Sequence, residues 1–194
     1  MASPDADALD REDMARLAAG HDAALNDLME RHSMPVFHFL CRMLGNEEDA
    51  NDFAQETFVR VYRHRDRYRA DAKFLTWLYT IAANLARNQL RWRARHPNVS
   101  LDGESTETGQ SIGEALSAPH APPDGDLATK ERAAAVRNAV SHLPDELREA
   151  VVLCELDDRT IAEAAAILET TPKAVESRLY RARQVLRQRL VKWL

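Results

Sequence analysis

Residues 67–95 read RYRADAKFLTWLYTIAANLARNQLRWRAR, a short polar stretch followed by a long segment with apolar residues three and four positions apart. This spacing predicts one amphipathic helix whose buried stripe contains Leu78, Ile81 and Leu85 and extends to Leu90. The stretch RYRADAK lacks the period and is predicted to be a loop. The sequence therefore predicts a basic loop that leads into a long helix.

The remainder of the chain has the same helical period and almost no strand signals, so we predict an all-α protein. Gly20 and Gly45 are predicted to end helices, Asn46 is a predicted N-cap, and Pro35 is predicted to break or kink a helix. With 194 residues, the chain is long enough for two small domains. The predicted division is an N-terminal extension with a short helix near residues 10–19 (1–20), a first domain (21–96), a linker (97–127) and a second domain (128–194).

The net charge of -5 hides an uneven distribution of charged residues. Ten cations and two acids lie between Phe58 and Arg95, and the segment from Pro172 onward has seven cations and one acid. The linker has no lysine or arginine, and its acids are Asp102, Glu104, Glu107, Glu114, Asp124 and Asp126. Its few apolar residues predict a flexible acidic linker. Two basic segments on an acidic chain indicate partners that carry phosphate.

Near the C-terminus, the helical segments TIAEAAAIL and PKAVESRLYRARQVLRQRL are separated only by ETT. A short helix, a tight turn and a basic helix are typical of the helix-turn-helix motif, whose second helix can enter the major groove. Thr171 is the predicted N-cap of that helix, and Glu169 stands where the turn often has glycine. The predicted inward residues are Ala174, Val175, Leu179 and Ala182, and those predicted to face DNA are Thr171, Lys173, Glu176, Ser177, Arg178, Arg181 and Arg183. The alternative is a solvated basic helix end.

Aromatic residues adjoin the arginines of the first domain, at Tyr68, Phe74, Trp77, Tyr79 and Trp92. Unpaired bases stack on aromatic rings while cations neutralise the backbone, so this composition indicates binding of single-stranded nucleic acid. The asparagines at positions 84 and 88 share one helical face and can hydrogen-bond an exposed base edge. For Phe74 and Trp77, an ordinary core position is the alternative.

The segment DANDFAQETF has a different character. Asp49, Asp52, Gln55 and Glu56 follow helical spacing and form an acidic stripe flanked by the phenylalanines at positions 53 and 58. Such a stripe suits a basic protein partner better than it suits DNA. A solvated helix face is the alternative.

The sequence has no pattern that indicates catalysis or a cofactor. His32, His38 and Cys41 come nearest to a metal-binding set, but their spacing matches no common zinc pattern and helix packing is favoured. A Gly-rich phosphate loop and a nucleophile with an evident base are both missing, so we predict neither catalytic residues nor a metal. We expect no membrane insertion and a cytoplasmic location, because no apolar run approaches a membrane span and the N-terminus lacks a signal pattern.

Taken together, these features resemble an extracytoplasmic-function (ECF, group IV) bacterial sigma factor of the sigma-70 family. The segments that carry the resemblance are AAGHDAALNDLMERH, LGNEEDANDFAQETFVRVYRHRDRYR and FLTWLYTIAANLARNQLRWRAR in the first domain, and LPDELREAVVLCEL and AVESRLYRARQVLRQRL in the second. The resemblance covers about residues 10–95 and 127–192. It implies two small helical domains, a region 2-like bundle and a region 4-like helix-turn-helix.

The resemblance also implies partners and roles. The chain would bind core RNA polymerase, with the clamp helices of the largest subunit contacting Asp49, Asp52, Phe53, Gln55 and Glu56, and the flap contacting the second domain. The minus-ten element of promoter DNA would be read by Arg67, Tyr68, Arg69, Asp71, Lys73, Phe74, Trp77, Asn84, Asn88 and Arg91. The outward face of the last long helix would read the minus-thirty-five element. An anti-sigma factor is the implied inhibitor, and the linker would thread the polymerase cleft, with a plain tether as its alternative.

Two other functions remain open from the sequence. A sigma-like mimic would sequester an anti-sigma factor without touching promoters, but it would not need an outward basic recognition face. A helix-turn-helix regulator would act without polymerase, usually as a dimer on repeated half-sites, and would leave the first domain unexplained.

Overall fold

The computed structural model describes residues 4–96 and 127–193, and every regular element in these ranges is helical. The elements are α1 (Pro4–Ala18), α2 (Ala23–Leu44), α3 (Glu47–Arg63), a 3₁₀ turn (Arg65–Arg67), α4 (Phe74–Arg95), α5 (Leu127–Ser141), α6 (Asp145–Val151), a π-helical turn (Val152–Leu156), α7 (Ile161–Ile167), α8 (Pro172–Arg189) and a 3₁₀ turn (Val191–Trp193). The predicted all-α fold is confirmed. We call α1–α4 the N-terminal unit and α5–α8 the C-terminal unit. Apart from Leu127, the predicted linker lies outside the described residues.

Helix α1 starts earlier than the sequence suggested and ends as predicted. It begins at Pro4, whereas the sequence predicted a start near Asp10. Gly20 follows the helix with a φ of 91°, a left-handed conformation that glycine adopts without strain. The chain can therefore turn sharply from α1 into α2.

The connection between α2 and α3 is built by two caps that the sequence predicted. Gly45 has a φ of 68°, and its N–H donates to the carbonyl of Cys41 at 2.9 Å. The Asn46 side chain accepts a hydrogen bond from the Asp49 N–H, also at 2.9 Å. Because the caps satisfy both helix ends, α2 and α3 can lie side by side after a very short turn.

The break that Pro35 could cause does not occur, since α2 runs without interruption from Ala23 to Leu44. A proline inside a helix removes one hydrogen bond and crowds the preceding turn. Val36, Phe39 and Leu40, which follow it, are completely buried. Their packing outweighs the local loss, so tertiary contacts keep the helix intact.

Helix α4 is the long amphipathic helix that the opening stretch predicted. Leu78 and Leu85 are buried, and Ile81 and Leu90 are half-buried. The buried face is wider than the predicted stripe, and it also contains Phe74, Tyr79, Ala82, Ala83 and Ala86. This width arises because both units pack against α4.

The C-terminal unit contains the predicted helix-turn-helix, formed by α7 and α8. The Thr171 hydroxyl accepts a hydrogen bond from the Ala174 N–H at 3.2 Å and so caps α8. Of the predicted inward residues, Val175, Leu179 and Ala182 are buried and Ala174 is half-buried. The short α7 is fixed at its start by a reciprocal capping box between Thr160 and Glu163.

The two units share one continuous hydrophobic core. Helices α6 and α7 pack against α4, while α5, α6 and the π-helical turn pack against α2. The long helix α4 of the N-terminal unit therefore lies against α7, the first helix of the helix-turn-helix.

Candidate nucleic-acid and protein interfaces

Residues 68–73, which we call the basic loop, connect the first 3₁₀ turn to α4. The Tyr68 hydroxyl donates a hydrogen bond across this loop to the carbonyl of Ala72 at 2.9 Å. The Tyr68 ring packs against Trp77 and Phe74, with ring centroids 5.4 Å and 6.1 Å apart. The shape of the basic loop therefore depends on the aromatic cluster beneath it.

Most residues predicted to bind single-stranded DNA are accessible. Arg67, Arg69, Asp71, Lys73, Asn88 and Arg91 are exposed, and Tyr68, Trp77 and Asn84 are half-buried. The two asparagines lie one helical turn apart on α4, as the spacing predicted. Exposed cations, partly accessible rings and amides thus occur together on the end of the 3₁₀ turn, the basic loop and α4.

Phe74 is the exception, because its side chain is completely buried. It packs against Trp77 at 6.3 Å and against the His32 ring at 5.5 Å, measured between ring centroids. In this structure Phe74 therefore occupies the core position that was the alternative to a contact with DNA. The sequence could not separate the two, since both roles place an aromatic residue at the start of the helix.

Lys73 at the end of the basic loop contacts the C-terminal unit. Its Nζ lies 2.8 Å from Oε1 of Glu163 on α7. The hydrogen bond from Lys73 lowers the pKa of Glu163 to about 2, and the Thr160 contacts act in the same direction. One of the cations predicted to bind DNA is thus paired with a carboxylate in this structure.

A cavity of about 290 Å³ lies between α2 and α3. We call it the α2/α3 groove, and it is lined by Met29, Ser33, Met34, Phe37, Asn51, Ala54, Gln55 and Phe58. Met34 is 57% exposed, which is high for a large apolar side chain. The groove is an apolar surface large enough to receive side chains from another protein.

The predicted acidic stripe borders the α2/α3 groove. Asp52 and Gln55 are exposed, and Phe53 is half-buried. Phe58 is buried, so it lines the groove from below and does not flank the stripe at the surface as the sequence suggested. The stripe and the groove together form an apolar surface with a polar edge.

Two acids of the stripe have partners within the N-terminal unit. Asp49 pairs with Arg93 near the end of α4, and Glu56 accepts a hydrogen bond from Arg60 at 2.8 Å. Asp52 has no comparable pair among the described residues. The charge available to a partner is therefore concentrated at Asp52.

Helix α8 presents its predicted outward residues to solvent. Thr171, Lys173, Glu176, Ser177, Arg181 and Arg183 are exposed, and Arg178 is half-buried. Arg178 lies 3.6 Å from Glu146, whereas Arg183 lies 2.5 Å from Glu155. Both acids belong to the C-terminal unit, so these two pairs do not involve the N-terminal unit.

Comparison with known proteins decides the family. The model for Sigma-70 region 2 matches residues 28–96, and the model for Sigma-70 region 4 matches residues 133–186. The ECF RNA polymerase sigma factor SigW of Bacillus subtilis (strain 168) is 31% identical over 172 residues, which cover 88% of this chain and 91% of the relative. The ECF RNA polymerase sigma-E factor of Escherichia coli (strain K12) is 33% identical over 175 residues, which cover 88% of each. This chain belongs to the ECF sigma factor family.

Solved structures agree with the assignment of this chain to the sigma factor family. CnrH, solved in complex with the cytosolic domain of CnrY, is 27% identical with a TM-score of 0.68, and the match covers 95% of this chain and 98% of CnrH. RpoE of Bartonella quintana, solved with the anti-sigma factor NepR, is 24% identical with a TM-score of 0.63, covering 85% of this chain and 95% of that one. The second match supports the fold alone.

The contacts between the two units of the sigma factor were not visible in the sequence. Arg42 on α2 pairs with Asp157, and the Arg159 guanidinium lies 4.5 Å from the centroid of the Tyr79 ring. Burial raises the pKa of Asp157 to about 6 although the Arg42 charge opposes the shift. These pairs join residues more than 70 positions apart, so no local pattern could predict them.

Two of the three residues that came nearest to a metal-binding set, His32 and Cys41, are buried in the sigma factor. His32 hydrogen-bonds Asp10 at 2.8 Å, and burial raises the pKa of Cys41 to about 11. Within residues 4–96 and 127–193, no group of three or more His, Cys, Asp or Glu residues is arranged to hold a metal ion. None of the helices described in the structure is both long and apolar enough to cross a membrane.

Proposed function

We propose that this sigma factor binds core RNA polymerase, recognises the minus-thirty-five and minus-ten elements of promoters, and helps to melt DNA for transcription initiation. The observation that carries the proposal is that one chain of this family presents three exposed surfaces. They are the α2/α3 groove with its acidic edge, the basic loop, and the basic face of α8. A polymerase-independent regulator would need only the last of these.

The α2/α3 groove and its edge are the proposed contact with core polymerase. An apolar centre with a polar rim is typical of protein interfaces, and carboxylates at the rim select a basic partner. The proposed contact residues are Asp49, Asp52, Phe53, Gln55 and Glu56, with the clamp helices of the largest subunit as their partner. Asp52 and Gln55 are exposed at the groove, which favours them as the residues that meet the partner first.

The basic loop and α4 are proposed to read the minus-ten element as a displaced single strand. Arg67, Arg69 and Lys73 would neutralise phosphates, and the partly accessible rings of Tyr68 and Trp77 would support a base. Asn84, Asn88, Asp71 and Arg91 are the proposed polar contacts to base edges and backbone. Extruding a base from the duplex costs a few kcal/mol, which stacking and a fitted site can offset.

Helix α8 is proposed to read the minus-thirty-five element in the major groove. A helix-turn-helix places the N-terminal residues of its second helix against base edges, while flanking cations contact phosphates. Thr171 caps α8, Lys173, Glu176 and Ser177 lie in its first two turns, and Arg178, Arg181 and Arg183 follow. The C-terminal unit, residues 128–194 in the predicted division, would also contact the polymerase flap.

An anti-sigma factor is the proposed inhibitor. A protein seated in the α2/α3 groove would occupy the same surface as core polymerase, so the two would compete. Purified inhibitor should therefore displace labelled sigma factor from core polymerase, and Asp52→Arg should weaken both complexes. An inhibitor that binds the holoenzyme without displacement would overturn this part of the proposal.

The first test is run-off transcription of the host's genomic DNA by core polymerase with and without the sigma factor. New transcripts that start at a small set of sites, with two shared upstream elements, are the expected result. Binding to core without transcripts would favour a sigma-like mimic. No binding and no transcripts would leave a DNA-binding regulator and would overturn the proposal.

A further inference from the structure

Helix α1 lies before residue 28, where the match to the Sigma-70 region 2 model begins. It packs against α2, α4 and the 3₁₀ turn that precedes the basic loop. Met14 and Leu17 of α1 are almost completely buried in the common core. The helix is therefore an integral part of the N-terminal unit.

Helix α1 contributes two buried carboxylates to its contact with α2. Oδ1 of Asp10, which is 1% exposed, accepts hydrogen bonds from Arg31 at 3.0 Å and from Nε2 of His32 at 2.8 Å. Asp13 accepts from Arg31 at 2.5 Å and from Arg16 at 2.9 Å. A buried carboxylate with two donors fixes its partners, because any other arrangement leaves a charge without compensation.

The hydrogen bond from His32 to Asp10 fixes the orientation of the imidazole ring, which lies directly beneath the start of α4. The His32 and Phe74 ring centroids are 5.5 Å apart, and Phe74 in turn packs against Tyr68 and Trp77. Aromatic contacts of this length have preferred orientations, so a fixed imidazole restricts the neighbouring rings. A continuous series of contacts thus runs from α1 to the basic loop.

The basic loop has other polar contacts: Lys73 Nζ lies 2.8 Å from Glu163 at the end of the loop, and the exposed pair Arg69 and Asp71 lies within it at 3.3 Å. Apart from the Tyr68 hydrogen bond to Ala72, the Ala72 N–H donates to Arg69 within the same turn at 3.0 Å. Lys73 at the N-cap position of α4 makes no side-chain capping hydrogen bond. Burial raises the pKa of Tyr68, and the charge of Asp7 on α1 raises it further. Both effects agree with a tyrosine that lies close to that helix. The loop conformation therefore depends on the contact of Lys73 with Glu163 at its end, and on what supports Tyr68 and Phe74 at its start.

We infer that α1 positions the basic loop for single-strand DNA, with Asp10 and His32 as positioning residues that act through Phe74 and Tyr68. Neither residue needs to touch DNA. The inference rests on the proposed reading of the minus-ten element by the basic loop. It assigns to α1 a part in promoter opening that is separate from binding to core polymerase.

The test uses the full chain and compares four variants. Asp10→Asn removes the carboxylate charge, His32→Ala removes both the hydrogen bond and the ring, and His32→Phe keeps a ring against Phe74 while removing the hydrogen bond. The matched control is Asp27→Asn, because Asp27 joins α2 to α1 through Arg16 at 3.4 Å without touching His32. Thermal melting of each variant identifies those that fail to fold.

The first readout is hydrogen exchange of the amides of Tyr68, Ala72 and Thr76, which donate hydrogen bonds around the basic loop. We expect exchange about tenfold faster in Asp10→Asn and His32→Ala, a change equivalent to the loss of about one hydrogen bond. We expect an intermediate increase in His32→Phe and no change in Asp27→Asn. Unchanged exchange in a folded His32→Ala protein would overturn the inference without involving DNA.

The second readout is promoter opening by the holoenzyme, measured by permanganate reactivity at a promoter mapped by run-off transcription. Opening should fall by about tenfold in His32→Ala while its affinity for core polymerase remains within about twofold of the parent. Equal opening by parent and variant would overturn the inference and leave the proposed function intact. A parent protein that opens no promoter would instead overturn the proposed function, and the exchange data would still decide whether α1 holds the loop.

Discussion

The Arg87 guanidinium on α4 lies 2.8 Å from the Glu149 carboxylate on α6, measured from Nε to Oε1, and both groups are largely shielded from solvent. The contact joins α4 to α6 as an ion pair. Burial raises the pKa of Glu149, and the Arg87 charge opposes that shift. Because buried ion pairs often add little net stability, we expect this pair to specify how the two units meet more than it stabilises them.

Glu149→Gln should destabilise the protein because it leaves Arg87 without a counter-charge between α4 and α6. Breaking one member of a buried pair costs about 3 kcal/mol, while replacing both members by apolar residues is often neutral or stabilising. The double substitution Arg87→Met with Glu149→Leu should therefore recover most of the loss. Urea unfolding of the single and double variants measures the difference. A double variant less stable than Glu149→Gln would show that the pair is a net source of stability.

Glu169 should be replaceable by glycine with a gain in stability. Its backbone φ is 52°. The Thr170 N–H donates to the Ala165 carbonyl at 2.9 Å, and the Glu169 N–H donates to the Ala166 carbonyl at 3.3 Å. This arrangement ends a helix in a Schellman motif, which prefers glycine at the left-handed position. We expect Glu169→Gly to raise the free energy of unfolding by about 0.5–1 kcal/mol, since relief of strain exceeds the entropic cost of glycine.

Glu169→Ala is the control, because alanine removes the charge and keeps the strained backbone. Its free energy of unfolding should remain near that of the parent. If alanine stabilised the protein as much as glycine, side-chain charge and not backbone conformation would explain the gain.

The contact between Lys73 and Glu163 should make stability depend on pH. The hydrogen bond from Lys73 lowers the pKa of Glu163 from an ordinary value of 4.5 to about 2, so the ionised carboxylate stabilises the folded state. This contribution is fully present above about pH 5 and is lost as the pH falls toward 2. Because Lys73 is largely exposed, solvent screening limits it to about 0.5–1 kcal/mol.

The measurement is urea unfolding of the parent and Glu163→Gln at pH 7 and at pH 3. The variant should be less stable at pH 7, and the difference should shrink at pH 3. In a protein that already carries Lys73→Met, the loss of stability that Glu163→Gln causes at pH 7 should also be smaller, since the principal cause of the pKa shift is absent. A stability difference between the parent and Glu163→Gln that is equal at pH 7 and at pH 3 would contradict the role of the ionised carboxylate.

Charge reversal at the edge of the α2/α3 groove should abolish binding to core polymerase. Asp52→Arg with Glu56→Arg places two cations where the partner is expected to be basic, and like charges across an interface cost several kcal/mol. Fluorescence anisotropy of labelled sigma factor with core polymerase measures the affinity. Glu131→Arg, which changes an exposed acid on α5, is the matched control. Normal binding by the double variant would remove the docking role of the acidic stripe.

Substitutions in the basic loop and α4 should separate promoter opening from polymerase binding. Arg69→Ala and Asn84→Ala should lower transcription from a mapped promoter about tenfold, since each removes one polar contact to the displaced strand. Their affinity for core polymerase should not change. Gln89→Ala on the same helix is the control. Loss of core binding in either variant would count against the proposed reading of the minus-ten element.

Local patterns in the sequence predicted the helices and their caps. Asn46 and Thr171 were predictable because a capping side chain bonds to a backbone group only a few residues away. The course of α2 through Pro35 was not predictable, because it depends on apolar residues that other helices bury. The same reason explains Phe74, whose burial depends on His32 and Tyr68 around it.

The sequence by itself determined the helical fold, the caps and the family, because these follow from spacing and from motifs within short segments. Only the tertiary structure decided that Asp10 supports His32, that Lys73 meets Glu163, and that Arg87 lies beside Glu149. Each of these contacts joins residues more than 20 positions apart. Their partners are chosen by how whole helices pack, and helix packing is a property of the complete core that no short segment contains.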